Sequence, residues 1–211
     1  MINFYMTPGS CSTGIHILLE EVELVFSANI VNLPAGDQHK PEFRAINPKG
    51  TIPVLVLDDG TALTSFTGIC WWLAAAFPRK KLLPETPVGQ ARALDLLGYI
   101  VNSLHGNAFT RMFTPEIYCT PDEAVATRKA EIVEQGRSMV RDSLALVDGL
   151  IADTGYCLDG NFSVVDAALF YTEFWADRSG IALPPRCQTH YALMRQRPAV
   201  RQVLAEEGYR L

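Results

Sequence analysis

The sequence predicts an α/β domain followed by an all-helical domain, and three observations lead to this prediction. The first third of the chain combines short strand-like apolar stretches with amphipathic helical patterns. Residues 78–87 then carry three prolines and a charge cluster, which is typical of a linker. Beyond this segment the pattern is helical. We therefore predict domains at residues 1–77 and 88–211, joined by a linker at residues 78–87.

The chain begins with a predicted β-α-β unit. Its strands are expected at residues 2–5 and 26–31. Residues 12–23 lie between them and carry apolar side chains at the i, i+3, i+4 and i+7 positions of an amphipathic helix. The polar segment after the second strand is predicted as a loop or a helix.

A hairpin and a helix complete the first domain. Residues 53–57 and 61–63 are predicted as paired strands, with the Asp-Asp-Gly sequence at residues 58–60 as their turn. Residues 65–77 are predicted as a helix that Pro78 ends. The resulting order, β-α-β followed by β-β-α, is typical of a thioredoxin-like layer.

The second domain is predicted to begin with two long helices. Residues 88 to about 109 form one periodic segment. A helix start follows at residues 120–123, with Thr at the N-cap, Pro at the first helical position and Glu three residues after the cap. This second helix is expected to run to about residue 151, before a break that contains Gly155.

A capping box predicts the next helix. The Ser163 hydroxyl can cap the first turn while the Asp166 carboxylate reaches back, and Phe162 is placed to act as a hydrophobic staple. Two short helices are expected to finish the chain, the last one opened by Pro198.

Composition excludes several classes of function. The formal net charge is −5, so no basic surface predicts a nucleic-acid partner. The longest apolar run, residues 69–77, is far shorter than the ~20 residues that span a bilayer. The N-terminus shows no signal-peptide pattern. The five cysteines form no CxxC pair, which predicts free thiols in a reducing cytoplasm and no metal site.

Cys11 is the main candidate for chemistry, because it lies where the first helix begins. The unpaired N–H groups and the positive dipole end of a helix stabilise a thiolate and lower its pKa. Neighbouring hydroxyls, at Ser10, Ser12 and Thr13, can donate further hydrogen bonds. The alternative is that Cys11 is a small buried apolar residue. That interpretation is preferred for the other four cysteines, Cys70, Cys119, Cys157 and Cys187.

Several sequence patterns together resemble the cytosolic glutathione transferase family, and most of all its bacterial beta class. They are PGSCS at the start followed by HI-x-L-x-E, NPKGTIPVLVLDDGTALT, SLH at residues 103–105, FSVVDAALF and RPAVRQVLAEEG. The resemblance covers nearly the whole chain. It implies a thioredoxin-like N-terminal domain, an all-helical C-terminal domain, glutathione as cosubstrate and a homodimer.

The resemblance also implies roles for particular residues. Pro53 is expected to be cis, so that the backbone of Ile52 pairs with the extended glutathione peptide. Cys11 matches the active-site cysteine, which can hold glutathione as a mixed disulfide. His105 matches a histidine that lines the cleft, where an imidazole can donate to a sulfur or take its proton. Among the other histidines, His16 is predicted to be structural, and the remaining two, His39 and His190, to lie at the surface.

The match departs from the family at the γ-glutamyl site. The helix after the fourth strand usually opens with an acidic residue and then Ser, whereas this chain has Ser65 and Phe66. A carboxylate that would pair with the glutathione ammonium is therefore missing. Lys40 and Lys49 can compensate in part, the Ser65 hydroxyl can hold a carboxylate, and Phe66 can give the cleft an apolar wall.

The sequence leaves several functions open. The first is an enzyme that conjugates glutathione to small apolar electrophiles or reduces mixed disulfides. The second is a protein of the same fold with weak or no glutathione binding, acting as an interaction module or on another thiol or acid ligand. A zeta-class-like isomerase of maleyl substrates is the third, although Gly14, Ile15 and His16 replace the arginine-containing run of that class. Aromatic residues of the helical domain are expected to divide between core and electrophile pocket: Phe109, Phe113, Tyr118, Tyr171, Phe174 and Trp175.

Overall fold

A four-stranded mixed sheet forms the centre of the N-terminal part. The computed structural model describes residues 1–120, 125–158 and 160–210 of the 211-residue chain. The strands are β1 Ile2–Met6, β2 Phe26–Ile30, β3 Val54–Val56 and β4 Ala62–Leu63. Their order in the sheet is β2-β1-β3-β4, with β2 parallel to β1 and the other pairs antiparallel. This confirms the predicted thioredoxin-like layer.

Helices cover both faces of the sheet. They are α1 Ser12–Glu21, α2 Pro41–Ile46 and α3 Phe66–Ala76. Side chains alternate along β1, so that Phe4 packs in the main core with α1 and α3 while Tyr5 points to the other face. There Tyr5 meets Phe43 of α2 in a smaller cluster that also contains Val31 and Val54.

The rest of the chain is helical, as the sequence predicts. Its helices are α4 Pro87–Gly98, α5 Thr110–Phe113, α6 Val125–Asp148, α7 Val164–Arg178, α8 Pro185–Gln196 and α9 Pro198–Glu206. The predicted segment from residue 88 to about 109 is not one uniform α-helix, because Tyr99–Phe109 winds as a π-helix. The helix start predicted at residues 120–123 extends outside the described residues. Among the described residues, no helix combines the length and apolarity needed to cross a bilayer.

The predicted capping box opens α7. The Ser163 hydroxyl accepts a hydrogen bond from the N–H of Val165 at 3.2 Å, and the Asp166 carboxylate accepts from the N–H of Ser163 at 2.7 Å. Phe162 is buried beside it. The N–H of Val164 donates to the carbonyl of Leu82 at 3.0 Å, so the segment after α3 is anchored to the start of α7.

The two parts of the chain share one core, because α1 packs against α7 and α9. Gly14 is a position where α1 and α7 approach each other closely. A Cβ atom there would lie 2.8 Å from the carbonyl oxygen of Ala167 and 3.0 Å from the rings of Phe66 and Tyr171. Only a residue without a side chain lets α1 lie this close to α7.

Candidate active site

The turn between β1 and α1 holds Cys11 in place. Gly9 has φ +72°, a conformation that favours glycine. The Ser10 hydroxyl donates to the carbonyl of Thr7 at 2.7 Å, and the N–H of Thr7 donates to the Ser12 hydroxyl at 3.0 Å. These hydroxyls therefore close the turn on itself and do not bind the Cys11 sulfur, which corrects the role expected for them.

Cys11 is the N-cap residue of α1, as predicted, and is 9% exposed. Its Sγ lies 3.7 Å from the carbonyl oxygen of Ile52, to which the thiol donates. Burial raises the pKa of the Cys11 thiol to about 12, and the backbone N–H groups of Cys11 and Ser12 lower it by less. The expectation of a lowered pKa is thus wrong, because desolvation outweighs the helix start.

The Ile52–Pro53 peptide bond is cis, which confirms the expectation from the resemblance. Pro53 is buried, Ile52 is half-buried, and β3 begins directly afterwards at Val54. The cis bond lies next to the N-terminus of α1, since Cys11 contacts the Ile52 carbonyl. The backbone of Ile52, which would pair with an extended peptide, therefore lies beside the Cys11 thiol.

His105 lies on the π-helical segment and faces α7. Its Nδ1 is 3.2 Å from the hydroxyl of Tyr171, and its ring packs edge-on against Trp175 with centroids 4.9 Å apart. Burial lowers the pKa of His105 to about 4. Burial also raises the pKa of Tyr171 well above its ordinary value, and a charge on Cys11 adds to this effect. Both groups are therefore neutral near pH 7.

Tyr171 connects His105 to the first turn of α1. Its hydroxyl lies 3.2 Å from Nδ1 of His105, and its ring lies 3.0 Å from where a Cβ atom at Gly14 would be. Among the described residues, no direct hydrogen bond joins Cys11 to His105. Sequence reasoning placed Tyr171 among six aromatic residues without separating its role, because helical spacing alone does not show which face is inward.

An aromatic wall adjoins the Cys11 turn. Trp175 packs against Phe109 and Phe113, with ring centroids 5.3 Å from each, and its indole Nε1 donates to the carbonyl of Gly9 at 2.7 Å. Phe113 is 50% exposed, whereas Phe109 is fully buried. Phe113 is the exposed member of this group, and the half-buried rings of Trp175 and His105 adjoin it. These three rings are called the aromatic wall below.

The remaining aromatic candidates have other positions. Phe174 is buried and packs against Tyr209 with centroids 5.0 Å apart. The Tyr118 hydroxyl is 2.6 Å from that of Thr110, and its ring lies under the guanidinium of Arg111. Phe174 is therefore part of the core packing, and Tyr118 packs against Thr110 and Arg111.

Ser65 and Phe66 behave differently from the expected γ-glutamyl pair. The Ser65 hydroxyl accepts a hydrogen bond from the N–H of Gly68 at 3.0 Å and so caps α3. Phe66 is 6% exposed, and its ring meets Tyr171 with centroids 5.4 Å apart. The expectation that Phe66 forms a cleft wall is corrected, since the ring fills the core where α1, α3 and α7 meet.

The two lysines are divided between two places. Lys49 donates through Nζ to the hydroxyl of Thr64 at 2.8 Å, which brings a cation to the residue before Ser65. Lys40 pairs with Asp37 at 2.6 Å and lines a cavity of about 500 Å³ together with Tyr5, Val31 and Phe43. Neither Cys11 nor Ile52 nor Ser65 lines that cavity, so Lys40 is not brought to the site as expected.

Glu207 is a residue of the site that sequence reasoning missed. Its carboxylate accepts from the N–H of Gly9 and from the hydroxyl of Thr13, each at 2.7 Å, and from Nδ1 of His16 at 3.0 Å. His16 is buried and structural, as predicted. Glu207 lies about two hundred residues after the turn that it holds, so no local pattern points to it.

His190 is fully buried, so its predicted surface position is wrong. It lies between two carboxylates, with Nδ1 at 2.8 Å from Glu173 and Nε2 at 3.2 Å from Asp166. Although burial disfavours its charge, the two carboxylates raise the pKa of His190 to about 10. The His190 imidazolium thereby joins α8 to α7 through its contacts with the two carboxylates. His39 is exposed, as predicted.

The comparisons with known proteins place the chain in a family. The family profile described as "Glutathione S-transferase, N-terminal domain" matches residues 9–76, and the profile described as "Glutathione S-transferase, C-terminal domain" matches residues 130–206. The glutathione S-transferase GstA of Escherichia coli O157:H7 is 31% identical over 98% of this chain and 99% of its own length. The chain belongs to the glutathione S-transferase family.

Solved structures agree with this assignment. A glutathione transferase homolog from Sulfitobacter, crystallised with bound glutathione, matches with a TM-score of 0.89 and 27% identity over 98% of both chains. The bacterial beta class glutathione S-transferase of Sphingomonas chungbukensis matches with a TM-score of 0.83 and 28% identity, again over 98% of both chains. The chain is therefore a bacterial-type member of the family.

Proposed function

We propose that this protein is a glutathione-dependent enzyme that conjugates glutathione to small apolar electrophiles. The observation that carries the proposal is the 3.7 Å contact between Cys11 Sγ and the carbonyl oxygen of Ile52, at the N-terminus of α1. A peptide thiol that pairs with the backbone of Ile52 presents its sulfur to Cys11. Membership of the glutathione S-transferase family supports glutathione as that peptide.

Glutathione is held in two places under this proposal. The backbone N–H and C=O of Ile52 pair with its cysteinyl unit as in a sheet edge. The start of α3, where Ser65 is exposed and Lys49 contacts Thr64, receives the γ-glutamyl carboxylate. The N-terminus of a helix and a nearby cation both favour the binding of an anion such as this carboxylate.

The thiol of Cys11 acts mainly as a hydrogen-bond donor in this proposal. With a pKa of about 12 it is protonated near neutrality, so it can donate to a glutathione thiolate. When the Tyr171 hydroxyl donates to Nδ1 of His105, the imidazole proton lies on Nε2 and offers a second donor. Two donors stabilise the thiolate that attacks the electrophile. The new S–C bond forms as the leaving group departs with its electron pair.

The aromatic wall is the proposed place for the electrophile. Phe113 and Trp175 offer apolar ring surface, and Trp175 is bonded to the turn that precedes Cys11. An apolar ring compound with a leaving group would stack there with its reacting carbon near the glutathione sulfur. Conjugation of an activated aryl halide is the assay that suits this geometry.

Reduction of mixed disulfides is a related activity of the same residues. The Cys11 thiolate would attack glutathione disulfide, break its S–S bond and form a Cys11–glutathione disulfide. One glutathione thiolate leaves and takes up the proton that Cys11 lost. The raised pKa makes the thiolate scarce near neutrality, so this step is expected to be slow and to accelerate with pH.

Intact mass after incubation with glutathione disulfide tests the role of Cys11. We expect one added glutathione in the wild-type protein and in C119S, and none in C11A. Cys119 is the matched control because it is the one half-buried cysteine of the five. An adduct that persists in C11A contradicts a reactive Cys11 in this site.

A second candidate is a protein of this fold that binds glutathione weakly and acts as an interaction module. The observation that favours it is the missing carboxylate at Ser65, whose hydroxyl already caps α3. Calorimetric titration with glutathione separates the candidates. Binding at micromolar Kd that weakens in C11A supports the enzyme, whereas millimolar or absent binding supports the module.

The variant S65D sharpens that titration. Asp is as good an N-cap as Ser, so α3 is retained while a carboxylate is restored. A charge-assisted hydrogen bond to the glutathione ammonium contributes ~1.5–3 kcal/mol, which is roughly tenfold or more in Kd. Tighter binding by S65D supports glutathione in this orientation. Unchanged millimolar binding in both proteins favours the module.

We also propose a homodimer in a reducing compartment such as the cytoplasm. Trp71 on α3 is 57% exposed, which is unusual for so large an apolar side chain. Its neighbour Phe66 is buried within the chain and is not available to a partner. The five cysteines are free, which supports a reducing compartment.

A further inference from the structure

A cluster of three possible metal ligands lies on α1 and α9, away from Cys11. His16 and Glu20 are four residues apart on α1 and therefore share one helix face. Glu206 is the last residue of α9, which packs against that face. One ligand atom from each of the three side chains lies within 4.8 Å of the other two.

The imidazole of His16 is held in one orientation. Its Nδ1 contacts the buried carboxylate of Glu207 at 3.0 Å, so Nδ1 carries the proton of that bond. Glu207 is itself fixed by Gly9 and Thr13. A carboxylate behind a histidine is the arrangement that orients histidine ligands of metals.

The other ring nitrogen faces an acceptor. Since Nδ1 is engaged by Glu207, Nε2 is the nitrogen left to act as a ligand, and it lies 3.2 Å from a carboxylate oxygen of Glu206. A cation that contacts both atoms would be coordinated by both side chains.

The two carboxylates are also positioned. The side-chain amide of Gln202 donates to one oxygen of Glu20 at 2.9 Å and to one oxygen of Glu206 at 3.0 Å. This bridge holds two like charges next to each other, which repel unless a cation compensates them. One oxygen of each carboxylate is thus tied to Gln202 while the other is available to a ligand.

A cavity gives access to the cluster. It has a volume of about 540 Å³ and is lined by all three ligands together with Glu23, Val25 and Phe26. This space accommodates a metal ion and its water ligands. The cluster is therefore open to ions from solvent, although the His16 ring itself is only 4% exposed.

We propose that His16, Glu20 and Glu206 bind one divalent transition-metal ion, with Zn²⁺ as the expected type. One imidazole nitrogen and two carboxylate oxygens suit Zn²⁺, whereas Ca²⁺ and Mg²⁺ prefer oxygen ligands alone. Three protein ligands leave a coordination position for water from the cavity. The site uses no cysteine, so the spacing of the cysteines did not reveal it.

Zinc titration of the full chain tests the proposal. The protein is stripped with a chelator, and Zn²⁺ is added in competition with a chromophoric indicator. We expect one saturable equivalent per chain and at least tenfold weaker binding in E20Q and in E206Q. Glu206 is exposed and Glu20 is half-buried, and neither belongs to the hydrophobic core, so these changes leave the core intact.

E23Q is the matched control, because Glu23 lines the same cavity but pairs with Lys80. We expect its zinc affinity to stay within about twofold of wild type. The site is overturned if no saturable equivalent binds, or if E20Q and E206Q bind zinc as tightly as E23Q does. Imidazole ¹⁵N NMR gives an independent readout, since zinc bound at His16 Nε2 shifts the resonance of that nitrogen. A His16 Nε2 resonance that saturating zinc does not move also overturns the proposal.

Discussion

The indole Nε1 of Trp175 donates a hydrogen bond to the carbonyl oxygen of Gly9 across 2.7 Å. This bond ties α7 of the helical part to the turn that carries Cys11. We expect W175F to lose at least about 1 kcal/mol of stability, since one hydrogen bond is lost and the smaller ring keeps only part of the packing. We also expect slower adduct formation at Cys11, because the turn is less fixed. Urea denaturation and intact mass measure the two effects.

W72F is the matched control for this change, because Trp72 is half-buried like Trp175 and no hydrogen bond of its indole N–H is seen among the described residues. Both replacements shrink the ring, so the hydrogen bond accounts for the larger loss expected in W175F. Equal losses in W175F and W72F would show that the Gly9 bond contributes nothing specific.

The reactivity of Cys11 is expected to rise with pH without a plateau below pH 10. Burial raises the pKa of the Cys11 thiol to about 12, so the thiolate fraction grows about tenfold per pH unit over this range. Alkylation rates at Cys11, followed by peptide mass in C119S, measure it. A plateau with a midpoint below pH 9 would contradict the buried, protonated thiol.

His105 is expected to make the protein less stable as the pH falls from about 6.5 to 4. Burial lowers its folded pKa to about 4, while the unfolded chain binds the proton near 6.5. Between these values the unfolded state holds more protons, so stability falls with falling pH. Urea midpoints at pH 7.5, 6 and 5 should show a smaller loss in H105Q than in wild type. H39Q, at an exposed histidine, should keep the wild-type slope.

Replacing His190 is expected to be among the most destabilising single changes. H190Q removes the cation between Asp166 and Glu173, which are both fully buried. Breaking a buried ion pair in this way costs about 3–5 kcal/mol. Chemical denaturation at pH 7 measures the change, with H39Q as the control. A loss below 1 kcal/mol would mean that the two carboxylates do not depend on this imidazolium.

Trp71 is expected to contribute to the proposed homodimer. W71E places a charge on an exposed apolar position of α3 and should shift the protein from dimer to monomer in sedimentation velocity. The α3 core below it is not touched, so the circular dichroism should be unchanged. A wild-type protein that sediments as a monomer contradicts the dimer directly.

The strands and helices could largely be predicted because their signals are local. Ser163 and Asp166 predicted the start of α7 from four adjacent residues, and the capping box is present. The apolar stretch at residues 2–5 and the DDG turn after β3 predicted strands of the sheet in the same way. The π-helical turns around His105 have no such local signal.

The candidate site was predictable only in part, because its remaining contacts join distant residues. The position of Cys11 at the start of α1 follows from sequence, but its raised pKa depends on how deeply the folded chain buries it. His190 was predicted to lie at the surface. Its two carboxylate partners are 17 and 24 residues away, and only the fold brings them together.

The hydrogen bond from the N–H of Gly9 to the Glu207 carboxylate also determines when, during synthesis, the turn that carries Cys11 can complete its folding. The two residues are 198 positions apart, so the turn leaves the ribosome long before its acceptor is made. Chains fold from the N-terminus as they emerge, and the β-α-β unit can form early. The turn that carries Cys11 cannot reach its final arrangement until α9 has been added. A nascent chain that stops before Glu207 would therefore present this cysteine on an unfinished loop.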